Sequence, residues 1–123
     1  MSDELAEEDL QARTFNFARR LVGLCQVLEQ GGGVGRILGT QLLRTGTAVG
    51  ANVAESAAAN GRAEYLADIA EAGKQARETR YWLKLLVDAD VIPISSLDGL
   101  LEEIRRLEAV LSKVWQDGTA SAA

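Results

Sequence analysis

The chain contains few side chains that could carry out a reaction. It has no histidine and one cysteine, so the usual near-neutral acid–base group and the commonest transition-metal ligand are missing. Cys25 lies in an apolar helical pattern without a histidine to activate it, which predicts a buried small hydrophobe over a nucleophile. A single cysteine also excludes an intramolecular disulfide. We therefore expect no catalytic residue, no metal site and no bound cofactor.

A glycine-rich stretch and several carboxylate pairs are the other candidates for chemistry. Residues 31–36 (GGGVGR) lack the Gly-Lys-Ser/Thr ending of a phosphate loop, and no strand precedes them. Three consecutive glycines have too much backbone freedom to stay helical, so a flexible hinge between two helices is the better interpretation. Pairs such as Glu64 with Asp68 have the spacing of a solvated helix face.

Apolar residues recur at helical spacing in four segments, and no segment alternates as a strand does. The glycine run, Asn60-Gly61 and a break containing Pro93 separate them. The predicted helices cover about residues 10–30, 35–59, 62–89 and 96–117. Four helices with short connections predict an all-α domain over residues 10–117, an antiparallel up-down-up-down four-helix bundle.

The two ends of the chain are predicted to lie outside the bundle. Residues 1–9 carry five acids and no base, and residues 118–123 are small and polar, so we expect partial disorder at the start and a disordered tail. The acidic start does not resemble a signal peptide, and no stretch approaches the roughly 18 apolar residues that span a bilayer. We therefore expect a cytoplasmic protein without membrane contact.

The net charge of −5 is unevenly distributed. Beyond residue 9 the chain carries 13 acids (18 − 5) and 13 bases, so a near-neutral body is expected. Residues 10–62 have a balance of +4 and residues 63–117 a balance of −4. Opposite charges of this kind favour head-to-tail contacts between copies of the chain, although chance surface composition explains them equally well.

The second predicted helix has little side-chain bulk. Gly46 and Gly50 lie in its interior, where each glycine costs about 1 kcal/mol relative to alanine unless close packing offsets it. The close neighbour could be a helix of the same chain or of another subunit. We take Gly46, Gly50 and Trp82, a tryptophan at the flank of the third helix, as candidate interface residues, with a core position as the alternative for Trp82.

Polar residues in the second and third helices are predicted to form a structural network. If these helices are antiparallel about Asn60-Gly61, Arg44 lies level with Glu78, which predicts a partly buried ion pair. Such groups more often set the register of a bundle than perform a reaction. The predicted network comprises Arg44, Asn52, Glu55, Lys74 and Glu78.

A nucleic-acid-binding role would require a basic surface. The candidate phosphate-facing patch comprises Arg13, Arg19, Arg20 and Arg36. The neutral body and the acidic start argue against this role, because phosphate neutralisation by an excess of Lys and Arg supplies most of the affinity for nucleic acid.

Two segments carry a more specific pattern. Residues 42–55 (LLRTGTAVGANVAE) are close to the family sequence LLRSGTSIGANIAE. Residues 76–86 (ARETRYWLKLL) are close to the family sequence ARETRYWLRLL, and residues 63–65 (AEY) stand where the family has ADF. In these stretches the chain resembles the bacterial four-helix-bundle family, also called the rRNA intervening-sequence proteins.

The resemblance implies a four-helix bundle that assembles as a homopentameric ring and has no known enzyme activity. Members of the family are encoded within insertions in large-subunit rRNA genes or elsewhere, without a settled biological role. A related branch, the accessory variability determinant of diversity-generating retroelements, is strongly basic and partners a reverse transcriptase and RNA. The favoured function is therefore a non-catalytic homo-oligomeric scaffold, with a nucleic-acid-binding accessory protein as the alternative.

Overall fold

The computed structural model of the chain describes the backbone of residues 3–122 and the side chains of residues 9–120. Within this part the protein is all-helical and contains no strand, which confirms the predicted class. Its elements are α1 (Asp3–Gly31), α2 (Gly33–Ala57), α3 (Arg62–Asp88), a short 3-10 helix (Ile94–Leu97) and α4 (Leu100–Ala122).

Contacts between consecutive helices show that α1 and α2 are antiparallel. Cys25, near the end of α1, lies 3.6 Å from the carbonyl oxygen of Gly39, near the start of α2. Thr14, earlier in α1, lies against Gly50 in the second half of α2. Increasing residue numbers in one helix therefore meet decreasing numbers in the other.

The same relation holds for α3 and α4. Arg62 at the start of α3 donates to the carbonyl oxygen of Gly118 in α4 at 2.7 and 3.1 Å. Further along α3, Arg80 Nε donates to Glu108 Oε2 at 2.6 Å. With α2 and α3 joined by a tight turn, the four helices form an up-down-up-down bundle.

The apolar stripes of the four helices meet in one core. Because each stripe repeats at intervals of three and four residues, it lies along one side of its helix. The largest fully buried side chains include Phe17, Leu21, Leu42, Ile69, Leu83, Leu86, Ile104, Leu107 and Leu111. Two buried threonines join α2 to α3, since Thr79 Oγ1 lies 3.0 Å from Thr45 Oγ1. Each of the two also reaches a carbonyl oxygen of its own helix, so neither hydroxyl is left without a partner.

The small side chains of α2 are explained mainly by close packing against other helices of the same chain. A Cβ atom on Gly46 would overlap the side chain of Leu21, and one on Gly50 would lie 3.3 Å from the carbonyl oxygen of Thr14. Gly46 is buried between α1 and α2 and is not available to another subunit. The prediction of Gly46 as an interface residue is therefore wrong, and the close neighbour is α1 of the same chain.

The fourth helix begins later than predicted. Asp98 and Gly99 have φ angles of 48° and 81°, in the left-handed region, and they end the 3-10 helix before α4 begins at Leu100. Leu97, just before this reversal, is almost fully buried and fixes the connection against the core.

Both ends are helical over most of the residues predicted to be disordered. α1 begins at Asp3. α4 continues to Ala122, and near its end Gly118 packs against Leu66 and accepts hydrogen bonds from Arg62. α1 and α4 therefore extend beyond their predicted bounds. The predicted disorder at the two ends stays a prediction, and residues 1, 2 and 123 lie outside the described residues.

Candidate interaction surfaces

The described side chains form no cluster that is typical of a reactive centre. No three His, Cys, Asp or Glu side chains in residues 9–120 come together as potential metal ligands. Cys25 is buried, and this burial raises the pKa of its thiol to about 11. A thiol with this pKa stays protonated at neutral pH and is a poor nucleophile. Over the same part of the chain, no helix is both long enough and apolar enough to cross a bilayer.

The predicted ion pair between α2 and α3 is present, but at the surface. Arg44 Nη2 lies 3.7 Å from Glu78 Oε2, and the two side chains are 58% and 40% exposed. Arg44 also donates to Gln41 Oε1 at 3.1 Å within its own helix. Arg44 is exposed and Glu78 is only partly buried, so the pair is more solvated than expected and contributes little stability.

The rest of the predicted network does not assemble. Asn52 Nδ2 donates to the carbonyl oxygen of Ala48 at 2.8 Å and thus bonds to its own helix. Glu55 and Lys74 are exposed, and neither side chain forms a hydrogen bond or ion pair with the described residues. The five residues provide one inter-helix contact in place of a network.

Two arginines of the predicted phosphate-facing patch connect α1 to α4 and to the turn just before it. Arg13 Nη2 lies 3.0 Å from Glu103 Oε1, and Arg20 donates to the carbonyl oxygen of Asp98. Both charged groups therefore help to hold α1 against α4 and the turn that precedes it.

The other two arginines of that patch also bond to the protein. Arg19 donates to Asn16 Oδ1 at 2.9 Å, and Arg36 pairs with Glu29 at 3.0 Å across the break between α1 and α2. All four members of the patch thus have partners within the fold.

An apolar surface covers the outer side of α1 and α2. Phe15 is 72% exposed and Val22, two helical turns later on the same side, is 40% exposed. Leu43 of α2 lies beside Val22 on the wall of a groove of about 330 Å³ between the two helices. We call Phe15, Val22 and Leu43 the α1–α2 surface.

A second apolar surface lies along α2 and α3. Ile37 is exposed and precedes Arg44 by two turns, so it lies on the side of α2 that reaches Glu78 of α3. One turn after Glu78 comes Trp82, which is half-buried and whose indole N–H has no acceptor among the described residues. We call Ile37 and Trp82 the α2–α3 surface.

A third surface, between α3 and α4, was not anticipated from the sequence. Arg77, Arg80 and Arg105 surround a groove of about 500 Å³ whose other lining residues are Glu108, Ala109 and Ser112. These arginines lie in the half of the chain with the acidic balance, so the charge balance along the sequence did not reveal them. The last two predicted helices are antiparallel, which places residues near 80 beside residues near 105. This pairing is the signal that could have identified the three arginines.

Comparisons with known proteins agree with the bundle and with the motifs in α2 and α3. The profile of the family described as 23S rRNA-intervening sequence protein matches residues 9–113. A crystal structure of a protein of unknown function from the S23 ribosomal protein family of Bacteroides thetaiotaomicron is 30% identical, with a TM-score of 0.79. The match covers 86% of this chain and 97% of that chain. No functionally curated protein matches. The chain belongs to the 23S rRNA-intervening sequence protein family.

Proposed function

We propose that the protein is a non-catalytic, self-assembling interaction protein of the cytoplasm whose copies close into a homopentameric ring. The observation that carries the proposal is the concentration of exposed apolar side chains around α2. Among the described residues, six of the nine large apolar side chains that are exposed lie on α1 or α2. Contiguous apolar surface of this kind marks interaction sites on otherwise polar proteins.

The arrangement of the two apolar surfaces favours a ring over a two-fold dimer. A ring requires head-to-tail contact between two different surfaces of each copy, whereas a two-fold dimer uses one surface twice. The α1–α2 surface and the α2–α3 surface are different, and they flank the same helix. Contact between Phe15 and Val22 of one copy and Ile37 and Trp82 of the next would bury both. The number five rests on the family resemblance.

A single substitution at the α1–α2 surface tests assembly. Light scattering of the wild-type protein at micromolar concentration is expected to give five times the chain mass of 13.2 kDa, about 66 kDa. Val22→Glu is expected to give monomers, because the contact would bury an unpaired carboxylate. The helical fold should persist in the circular dichroism spectrum, since Val22 is exposed in the isolated chain.

Val27→Glu is the matched control. Val27 is also an exposed valine of α1, but its position five residues later turns it by about 140° from Val22. It should assemble as the wild type does. A wild-type protein that is monomeric at micromolar concentration, or equal loss of assembly in both variants, would contradict the proposal.

A further inference from the structure

We call the groove between α3 and α4 the α3–α4 groove. Its shape and its charge come from different residues. Ala109 and Ser112 leave its floor open because their side chains are small, and the three arginines stand around it. Together with Glu108 they give the groove lining a net charge of +2, although the whole chain is acidic. The groove is thus a local positive site on an acidic protein.

Most cationic side chains of this protein are already neutralised or hydrogen-bonded. Of the 13 lysines and arginines, nine form an ion pair or a hydrogen bond with the described residues. The remaining four are Lys74, Arg77, Lys84 and Arg105. Arg77 and Arg105 line the groove, and Lys84 lies on the same side of α3, two turns after Arg77. Three of the four cations that the fold leaves without a partner therefore lie at this groove or along the same side of α3.

Arg80 retains donors for a ligand despite its ion pair. Its Nε donates to Glu108 Oε2 at 2.6 Å, and four other N–H groups of the guanidinium remain. The planar fork of a guanidinium matches the oxygens of a phosphate group better than a point charge does. Three guanidinium groups around one groove favour a phosphate-bearing ligand.

An aromatic ring stands beside these cations. Tyr81 is 60% exposed and lies one helical turn from both Arg77 and Lys84. Its ring packs edge-on against Trp82, with centroids 5.0 Å apart and an interplanar angle of 81°. This contact holds the Tyr81 ring while leaving most of it accessible. Exposed aromatic rings among phosphate-binding cations are typical of surfaces that stack unpaired bases.

We propose that the α3–α4 groove binds single-stranded nucleic acid, with Arg77, Arg80, Lys84 and Arg105 on its phosphates and Tyr81 stacked on a base. A single strand suits the groove because it is flexible enough to follow a short basic strip, whereas duplex binding draws on a broad basic face. The site belongs to one chain and does not require the proposed assembly. A ring would repeat it in each copy.

Fluorescence anisotropy with a labelled 20-nucleotide mixed-sequence RNA, measured across a salt series, tests the site. Four phosphate contacts predict a plot of log affinity against log salt with a slope of about −2.8, at about −0.7 per contact for a single strand. Arg77→Ala with Arg105→Ala should weaken binding at least tenfold at about 50 mM salt and reduce the slope by about 1.4. Tyr81→Ala should weaken binding at least fivefold without changing the slope, and Tyr81→Phe should restore it.

Two matched double variants control for charge alone. Arg106→Ala with Lys113→Ala removes the same charge from ion-paired positions outside the groove and should bind within about twofold of wild type. Arg19→Ala with Arg36→Ala removes it from the patch predicted from sequence, and a loss as large as that of the groove variant would overturn the assignment. The assignment would also be overturned by the absence of RNA binding at about 50 mM salt. Competition by a free nucleoside triphosphate at the same nucleotide concentration would overturn it as well. Circular dichroism of every variant separates loss of binding from loss of fold.

Discussion

At two glycines in helix interiors, the effect of adding a Cβ atom on stability depends on the residues around it. Gly46 of α2 is buried against Leu21, whereas Gly23 of α1 is exposed and has nothing within 4 Å of the place where a Cβ would lie. Intrinsic helix propensity favours alanine over glycine by the same amount at both positions. The packing at the two positions differs, so the two replacements should have opposite effects.

We expect Gly46→Ala to lower the free energy of unfolding by about 1 kcal/mol, because overpacking of about 1–3 kcal/mol exceeds the propensity gain of about 1 kcal/mol. Gly23→Ala should raise it by about 0.5–1 kcal/mol. Urea unfolding at one fixed protein concentration measures both values. If Gly46→Ala proves as stabilising as Gly23→Ala, then α1 and α2 are farther apart than described.

The groove arginines show what charge along the sequence cannot reveal. Arg77 and Arg105 lie in the segment of balance −4, but they are not neutralised because the acids of that segment are elsewhere on the surface or, like Glu108, paired with another cation. Conversely, the four arginines of the basic segment that were predicted to face phosphate are held by the protein. Partner choice depends on three-dimensional distance, which a count along the chain does not contain.

At the scale of elements, two of the ion pairs that join neighbouring helices lie in different surroundings. The pair between Arg44 of α2 and Glu78 of α3 is long and solvated. The pair between Arg80 of α3 and Glu108 of α4 is short, and the Glu108 side chain is 17% exposed. Losing the cation should therefore matter only where the carboxylate is left with little water.

Arg44→Met is expected to change the free energy of unfolding by less than about 0.5 kcal/mol. Arg80→Met should lower it by about 1–2 kcal/mol, since the mostly buried carboxylate of Glu108 loses its partner. Methionine retains much of the apolar length of arginine in both variants, so the comparison isolates the charge. Chemical denaturation at neutral pH measures the difference, and equal effects in the two variants would show that burial does not separate these pairs.

The helices themselves could be predicted from apolar periodicity, and their boundaries only in part. The glycine run and Asn60-Gly61 mark the first two breaks because glycine adopts positive φ angles there, as it does at Gly32 and Gly61. The start of α4 was misplaced because Asp98 also adopts a left-handed conformation, which depends on the burial of Leu97 next to it. The last turns of α4 extend beyond the predicted end of the helix because tertiary contacts at Gly118 hold small residues whose type alone does not favour a helix.

At the scale of the whole molecule, the proposed assembly would couple stability to protein concentration. If folded copies bind one another and unfolded copies do not, the melting temperature depends on protein concentration by mass action. In the proposed assembly, the α1–α2 surface would provide the contact that Val22→Glu removes. The same variant therefore gives a thermal test that is independent of measured mass.

We expect the melting temperature of the wild-type protein to rise by several degrees between about 1 and 100 μM, because each tenfold increase above the dissociation constant adds about 1.4 kcal/mol per contact. Val22→Glu should melt at one temperature over this range, and Val27→Glu should follow the wild type. Differential scanning calorimetry measures all three. A wild-type melting temperature that does not move with concentration would argue that the chain acts alone.

The junction between α1 and α2 has a mechanical consequence for such an assembly. Gly32 alone separates the two helices, and both Gly32 and Gly33 have positive φ angles of 67° and 60°. A junction of one residue has no slack, so α1 cannot slide along α2 without breaking helical hydrogen bonds. Force applied by a neighbouring subunit to α1 would pass directly into the backbone of α2, and the two helices would respond as one stiff hairpin.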